Sequence, residues 1–137
     1  MAHWLVKSEP STWSFDDQLA AGEKGTNWNG VRNHAAKLNL MAMKVGEQAF
    51  FYHSNQGKAI VGIVEVTKAY YPDPTDATGR FGMVDFKAVR ALETPVTLDA
   101  IKADRRLAEM VLVKNSRLSV QPVAAEEWRA VLSLAKA

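Results

Sequence analysis

Three strand patterns follow one another in the middle of this chain, separated by a turn and a loop. They are "QAFFYHS" (48–54), "AIVGIVEVTKAYY" (59–71) and "MVDFKAVRAL" (83–92). All three are rich in β-branched and aromatic residues, and the third alternates between apolar and polar positions. Gly62, inside the second, predicts a bulge or a sharp bend of the kind that barrels need at their corners. Consecutive strands of this kind predict an antiparallel sheet that curls into a partly closed barrel.

A strand and a short helix are predicted before this sheet. The segment "HWLVKS" (3–8) is rich in strand-forming residues and is followed by a Pro and Ser/Thr cluster that ends it. Ser14 is suited to cap a helix, because Asp16 and Asp17 then place negative charge in its first turn. Gly22 is a stop signal for that helix.

A second helix is predicted from the cap residue Asn33 to the stop signal Gly46. Its apolar residues recur at helical spacing, which predicts that they face the core. This face consists of Ala35, Leu38, Met41, Ala42 and Val45. The polar cluster that precedes Asn33 is then the loop that enters the helix.

The last third of the chain predicts a helix, a strand and a terminal helix. Thr97 is a cap residue for the first of them, and "LSVQPV" (118–123) is a short strand ended by Pro122. Helical spacing in the tail places four apolar residues on one face: Trp128, Val131, Leu132 and Ala135. The whole pattern predicts a mixed α+β fold with five or six strands and flanking helices.

Composition narrows the class of protein. With 137 residues we expect one domain with a real core, and a net charge of +2 argues against binding nucleic acid mainly through phosphate neutralisation. The chain has no cysteine, which excludes disulfides, thiolate nucleophiles and Cys-based zinc sites. It has neither a run of transmembrane length nor a secretory signal pattern, so we expect a cytoplasmic protein without a membrane partner.

Most catalytic and cofactor motifs are missing from the sequence. Neither a phosphate-binding loop nor a dinucleotide-binding glycine pattern occurs. The three histidines lack partners at metal-like spacing, and Ser8 lacks the glycines of a nucleophile elbow. We therefore expect no cofactor and no metal site, and no catalytic residue can be assigned from a motif.

The local sequence pattern leaves the role of Trp28 open between ligand binding and core packing. It lies in a loop between Asn27 and Asn29, with Gly30 and Arg32 following. An aromatic plane beside amides and a guanidinium suits a flat heterocycle, since stacking supplies affinity and hydrogen bonds to its edge supply selectivity. Core packing is the alternative, although a loop indole among polar residues is poorly placed for it.

Two further groups of polar residues have both a structural and a functional interpretation. His53 ends an apolar strand between Tyr52 and Ser54, where it can either bond to backbone or belong to a site. Three residues alternate onto one side of the last strand and are either solvated or one wall of a pocket: Arg117, Ser119 and Gln121.

Seven short motifs in order along the chain resemble the EVE domain family, which includes thymocyte nuclear proteins and small bacterial proteins. They are "WLVKSEP" (4–10), "WNGVRN" (28–33), "MKVGE" with "FFYHS" (43–54), "GIVEV" with "YPDPT" (62–75), and "RLSVQP" (117–122). The resemblance implies one EVE domain over residues 1–137, with a PUA-like pseudo-barrel related to YTH and ASCH domains. It also implies a reader of modified nucleobases in DNA or RNA.

The resemblance assigns twelve residues to ligand binding. Trp28 would stack on the base, and Ser8 and Glu9 would supply polar contacts at the rim. Arg32 and Asn33 would shape the entrance of the following helix. The strand lining the cavity would contribute Tyr52, His53 and Ser54. Asn29 or His53 would help to read the edge of the base. The last strand would close the opposite wall with Arg117, Ser119 and Gln121.

The function that this implies is binding without turnover of a modified base, as part of a nucleic acid or as a free nucleoside. The resemblance leaves the modification, the choice of DNA or RNA, and the oligomeric state open, and it is compatible with a monomer. Two alternatives remain: an enzyme acting on a nucleobase or nucleotide with Glu9 or His53 as general acid or base, and a module that binds a small metabolite.

Overall fold

The computed structural model describes residues 2–55, 57–115 and 117–136 of the chain. Six strands and five α-helices form in the order β1 (His3–Ser8), α1 (Phe15–Ala20), β2 (Thr26–Asn27), α2 (His34–Ala42), β3 (Gln48–His53), β4 (Ala59–Pro72), β5 (Gly82–Thr97), α3 (Leu98–Ala103), α4 (Val111–Lys114), β6 (Val120–Val123) and α5 (Ala125–Leu134). Short 3₁₀ turns lie at Gly22–Lys24 and Arg105–Leu107. None of the helices in these ranges is long and apolar enough to cross a membrane.

All six strands belong to one mixed sheet, in the spatial order β2-β5-β4-β3-β1-β6. The neighbours β3, β4 and β5 are antiparallel, as their consecutive patterns predicted, whereas β1 runs parallel to β3. The register of β4 shifts between Ile60 and Gly62, which confirms the bulge predicted there. The predicted α+β class with flanking helices is therefore confirmed.

The bulge at Gly62 has a packing reason. A Cβ at this position would lie 2.2 Å from the Cζ of Phe15, so the ring of this α1 residue occupies the space that any other residue would need. Gly25 has a similar role, because its φ is +68° and a Cβ would lie 2.3 Å from the carbonyl oxygen of Phe86. This close approach brings β2 against β5, immediately before Trp28.

The sheet buries a separate core on each face. We call the side with Trp4, Phe51 and Phe86 the first core, and the side with Phe50 and Trp128 the second core. Helix α5 covers the second core, where the ring of Trp128 stacks on Phe50 at a centroid distance of 3.9 Å. The predicted inward face of α5 is confirmed for its buried members, Trp128, Val131 and Ala135.

The predicted helix starts are confirmed by the hydrogen bonds at three caps. The side chain of Ser14 accepts from the Asp17 N–H, and the Asp17 carboxylate accepts from the Ser14 N–H, which completes a capping box. Asn33 caps α2 through the N–H of Ala36, and Thr97 caps α3 through the N–H of Ala100.

The predicted core face of α2 is wrong. Leu38 and Met41 are each 51% exposed and Val45 is 57% exposed, and the helix ends at Ala42 rather than continuing to Gly46. The buried residues are instead Ala36, Leu40 and Met43. This stripe also has helical spacing, and the side chain of Asn39 fixes its orientation by donating to the Val120 carbonyl at 2.7 Å.

Candidate functional site

A cavity of about 430 Å³ opens near the end of β1, beside β2. Its volume lies in the range typical of small-molecule sites. It is lined by residues from the end of β1, the following turn and the β2 region: Lys7, Ser8, Glu9, Thr12, Trp13, Thr26, Asn27, Trp28 and Asn29. Two tryptophans, three amide or hydroxyl side chains near Trp28 and two charges of opposite sign thus meet in one depression.

A chain of hydrogen bonds positions Trp13 at this cavity. The Ser8 hydroxyl donates to the Trp13 carbonyl, and the N–H of Trp13 donates to the Glu9 carbonyl at 2.9 Å. The indole Nε1–H donates to Gln18 Oε1 at 2.8 Å, and Gln18 Nε2 donates to the Phe86 carbonyl at 3.1 Å. Because Gln18 is fully buried, it ties the half-buried indole of Trp13 to strand β5.

Trp28 is both a core residue and part of the cavity lining. Only 8% of it is exposed, and its ring meets Phe51 and Phe86 edge-on at centroid distances of 5.6 and 5.4 Å. Its N–H donates to the Val84 carbonyl at 2.8 Å, which continues the pairing of β2 with β5. The view that this indole is poorly placed for core packing was wrong, because the loop around it is polar but short and lies directly on the sheet.

Asp73 holds the rim that follows Trp28. Its buried carboxylate accepts from the Gly30 N–H at 2.9 Å, from Arg32 Nη1 at 3.1 Å and from the Thr75 N–H and hydroxyl. Burial alone would raise the pKa of the Asp73 carboxyl, but the hydrogen bonds from Thr75, Gly30 and Arg32 outweigh it and hold the pKa at about 2. Arg32 therefore ties the rim to the 73–81 loop and does not line the cavity.

The residues at the end of β3 lie outside the cavity. His53 is on the same side of the sheet as Phe51, and its Nε2 accepts from the Phe15 N–H at 3.0 Å. Burial lowers the pKa of the His53 imidazole, and the Asp16 carboxylate opposes this. Tyr52 packs in the second core, and together with Ser54 it lines a different depression of about 250 Å³.

The predicted wall on the last strand does not form at this cavity. Gln121 pairs with Leu5 and is fully buried toward the second core, where its Nε2 donates to the Leu118 carbonyl at 2.7 Å. Arg117 and Ser119 precede β6, which starts at Val120. The alternation that placed these side chains on one wall assumed that the extended backbone already includes Arg117, three residues before β6 begins.

The structure thus brings four of the twelve expected ligand-binding residues together at the cavity, namely Ser8, Glu9, Trp28 and Asn29. The other eight, Arg32, Asn33, Tyr52, His53, Ser54, Arg117, Ser119 and Gln121, are not part of its lining. Sequence reasoning missed five lining residues: Lys7, Thr12, Trp13, Thr26 and Asn27. The signal for Trp13 was present, since it is also a tryptophan in a polar turn. No cluster of three or more metal-ligating side chains occurs within the described ranges.

Comparison with known proteins identifies the family. The family model described as "EVE domain" matches residues 2–134. The NMR structure of Rpa0253 from Rhodopseudomonas palustris is 60% identical in sequence, with a TM-score of 0.95, and the match covers 99% of this chain and 94% of that one.

Human thymocyte nuclear protein 1 is a more distant match. Human thymocyte nuclear protein 1 is 36% identical, over 97% of this chain and 73% of its own length. The crystal structure of human THYN1 protein in complex with 5-methylcytosine-containing DNA has 35% identity and a TM-score of 0.93, over 100% of this chain and 99% of that one. A YTH domain from Zygosaccharomyces rouxii, at 17% identity and a TM-score of 0.62 over 98% and 86% of the two chains, shares the fold.

Proposed function

This chain belongs to the EVE domain family, and from that premise we propose that its cavity binds a modified nucleobase of DNA or RNA without converting it. The observation that carries the proposal is the cavity of about 430 Å³ whose lining includes both Trp13 and Trp28. The human THYN1 structure, which contains 5-methylcytosine DNA, supports the ligand class. We extend that class to this chain and take 5-methylcytosine as the first base to test.

Stacking supplies the affinity in this proposal. Extracting a base from its stack costs a few kcal/mol, and stacking on an aromatic side chain returns about 1–3 kcal/mol. Trp28 is held rigidly by Phe51 and Phe86, and Trp13 by Gln18. Neither indole has to be ordered when the ligand arrives, so little of the stacking energy is lost to side-chain entropy.

Polar groups of the rim supply the selectivity. The side chains of Asn27 and Asn29 form no hydrogen bond within the described part of the chain, so each amide keeps a donor and an acceptor for the edge of a base. Burying one added methyl group contributes only about 0.8 kcal/mol. Discrimination between a modified base and its parent therefore depends on a close fit, with the unmodified base leaving part of the cavity unfilled.

Binding without turnover is favoured over the acid/base alternative. Glu9 lines the cavity, but His53 does not, and the His53 Nε2 already accepts the Phe15 N–H. A general base has to reach the proton that it removes, and in this arrangement His53 is occupied by the start of α1. We propose a reader in which Glu9 contributes a polar contact.

Calorimetric titration with nucleosides tests the proposal. The panel consists of 5-methyldeoxycytidine, N6-methyladenosine and their unmodified parents, each followed by chromatography of the recovered ligand. We expect saturable binding of at least one modified nucleoside, weaker binding of its parent, and unchanged ligand after incubation. Equal affinity for modified and parent nucleosides would contradict the reader, and a new product that is lost in Glu9→Gln would establish the enzyme instead.

A further inference from the structure

Two further depressions share lining residues with the cavity or with each other. Lys7 lines both the cavity and the depression of about 250 Å³ that contains Tyr52. That depression in turn shares Asn55, Lys58 and Leu98 with a third one of about 460 Å³. We call these three adjoining depressions together the groove. Its first two members lie against opposite cores of the sheet and meet at Lys7, near the sheet end where the Ser54 N–H donates to the Ser8 carbonyl at 2.9 Å.

The groove beyond the cavity is positively charged. Among the described residues, its lining includes Lys7, Lys58 and Lys102 and one carboxylate, Asp99. This concentration is notable in a chain whose net charge is only +2. Lysines spaced along a groove are suited to successive phosphates, which they bind as point charges.

The middle of the groove also has an apolar floor. Tyr52 and Leu112 are 3% and 2% exposed and line it together with Leu98. The Lys7 ammonium lies 5.7 Å from the centroid of the Tyr52 ring. A cation beside an aromatic and aliphatic floor can accept one nucleotide, with its base on the floor and its phosphate near the cation.

A second pair of cations, Arg32 and Lys37, contacts the 73–81 loop instead of the groove. Arg32 is paired with Asp73 and donates to the Thr75 hydroxyl at 3.0 Å. Arg32 and Lys37 both lie over the ring of Phe81, at 5.8 and 5.7 Å from its centroid. These cations hold the 73–81 loop against α2, and they line none of the three depressions.

We propose that the strand flanking the bound base on one side follows this groove, so that the partner is single-stranded nucleic acid rather than a free nucleoside. The first flanking base packs on Tyr52 and Leu98, and the phosphates that follow lie against Lys58 and Lys102. This rests on the proposed function, because the base in the cavity sets the register of the strand. The unmodified flank is read without sequence preference, since the floor offers surface contact rather than base-edge hydrogen bonds.

The test compares strands that extend in one direction only. The probes are 5-methyldeoxycytidine alone, the same nucleotide with three thymidines on its 5′ side, and the same with three on its 3′ side, with an N6-methyladenosine set in parallel. The variant Lys58→Gln/Lys102→Gln removes two contacts from exposed positions. Its matched control is Lys44→Gln/Lys136→Gln, which removes the same charge away from the groove.

We expect the groove variant to bind the nucleoside like the wild type and to lose affinity for only one of the two extended strands. Each phosphate contact to a single strand contributes about 0.7 to the slope of log affinity against log salt concentration. Since the groove variant lacks two such contacts, the ratio of wild-type to variant affinity should fall about 7-fold between about 50 and about 200 mM salt. The control variant should keep the wild-type affinities and salt slopes.

Two results would overturn the groove assignment without affecting the proposal that the cavity binds a modified base. One is an equal loss for strands extended in either direction, and the other is a groove variant with the salt slope of its control. A wild type that binds neither modified nucleoside would overturn the proposed function and the groove assignment together. Thermal unfolding of each variant, expected to match the wild type, separates these results from a folding defect.

Discussion

Replacing Trp13 by alanine should weaken base binding while leaving the protein folded. The indole is half-buried at the cavity, and its removal deletes a stacking surface that contributes about 1–3 kcal/mol. We therefore expect an affinity about 5- to 140-fold lower for the tightest nucleoside of the panel. The change also leaves Gln18 Oε1 without its donor, which costs about 1–3 kcal/mol of a total stability of about 5–15 kcal/mol.

The same substitution at Trp28 would not separate binding from folding. Trp28 is packed against Phe51 and Phe86 in the first core, and truncating a buried tryptophan costs about 3–5 kcal/mol. A loss of binding in Trp28→Ala could therefore reflect partial unfolding. Trp13 is the better position for this test, because its side chain is only half-buried and, like Trp28, lines the cavity.

The assay is calorimetric titration paired with urea unfolding of each variant. Trp13→Phe keeps an aromatic face but lacks the indole N–H, so it should recover most of the affinity that Trp13→Ala loses. Trp128→Phe is the matched control, since Trp128 lies in the second core between His3 and Phe50. A Trp13→Ala protein that is folded and binds with wild-type affinity would refute the assignment of Trp13 to the site.

Three further predictions concern residues that position the site or respond to pH. Gln18→Leu should lower nucleoside affinity several-fold by releasing Trp13, and unchanged affinity in a folded protein would show that the tether is dispensable. Asp73→Asn should lower the free energy of unfolding at pH 7 by about 2 kcal/mol, because the carboxyl pKa is about 2 rather than 3.8; urea midpoints equal to the wild type would contradict this. His53 has a lowered pKa in the folded state, so its contribution is present above pH 6.5 and is lost as the pH falls below that value. His53→Gln should flatten the urea stability profile between about pH 7 and pH 5, and an unchanged profile would show that burial of this imidazole does not lower its pKa.

Short sequence signals predicted those parts of the fold that depend on interactions within a single helix or strand. The caps at Ser14, Asn33 and Thr97 each depend on a hydrogen bond within three residues, and all three are present. The bulge at Gly62 and the buried face of α5 follow from the same kind of information. The parallel pairing of β1 with β3 does not, because it joins segments that are far apart in sequence.

The orientation of α2 could not be read from periodicity. Two apolar stripes have helical spacing, and a long-range hydrogen bond from Asn39 to the Val120 carbonyl accompanies burial of the shorter one. The predicted stripe contains larger side chains, but Leu38 and Met41 remain exposed. A small residue, Ala36, instead lets the helix approach the sheet closely.

The site was predicted in part for a similar reason. Ser8, Glu9, Trp28 and Asn29 lie in motifs that the family resemblance singled out, and the structure brings them to one cavity. Trp13 also lies in a polar turn but was not assigned, because its position at the cavity depends on the buried amide of Gln18, a glutamine in an otherwise ordinary short helix. Ligand binding by the eight residues outside the cavity and a cytoplasmic location stay predictions.

The indole N–H signals in a nitrogen–proton NMR spectrum would show directly whether a modified nucleoside binds in the cavity between Trp13 and Trp28. The chain has four tryptophans, of which Trp13 and Trp28 line the cavity. Trp4 donates its Nε1–H to Glu47 at 3.1 Å, and Trp128 lies in the second core, so both serve as internal references. Titration with 5-methyldeoxycytidine or N6-methyladenosine should shift the Trp13 and Trp28 signals and leave the other two in place. Saturable shifts confined to Trp4 or Trp128, or no shift with any modified nucleoside of the panel, would rule out base binding in this cavity.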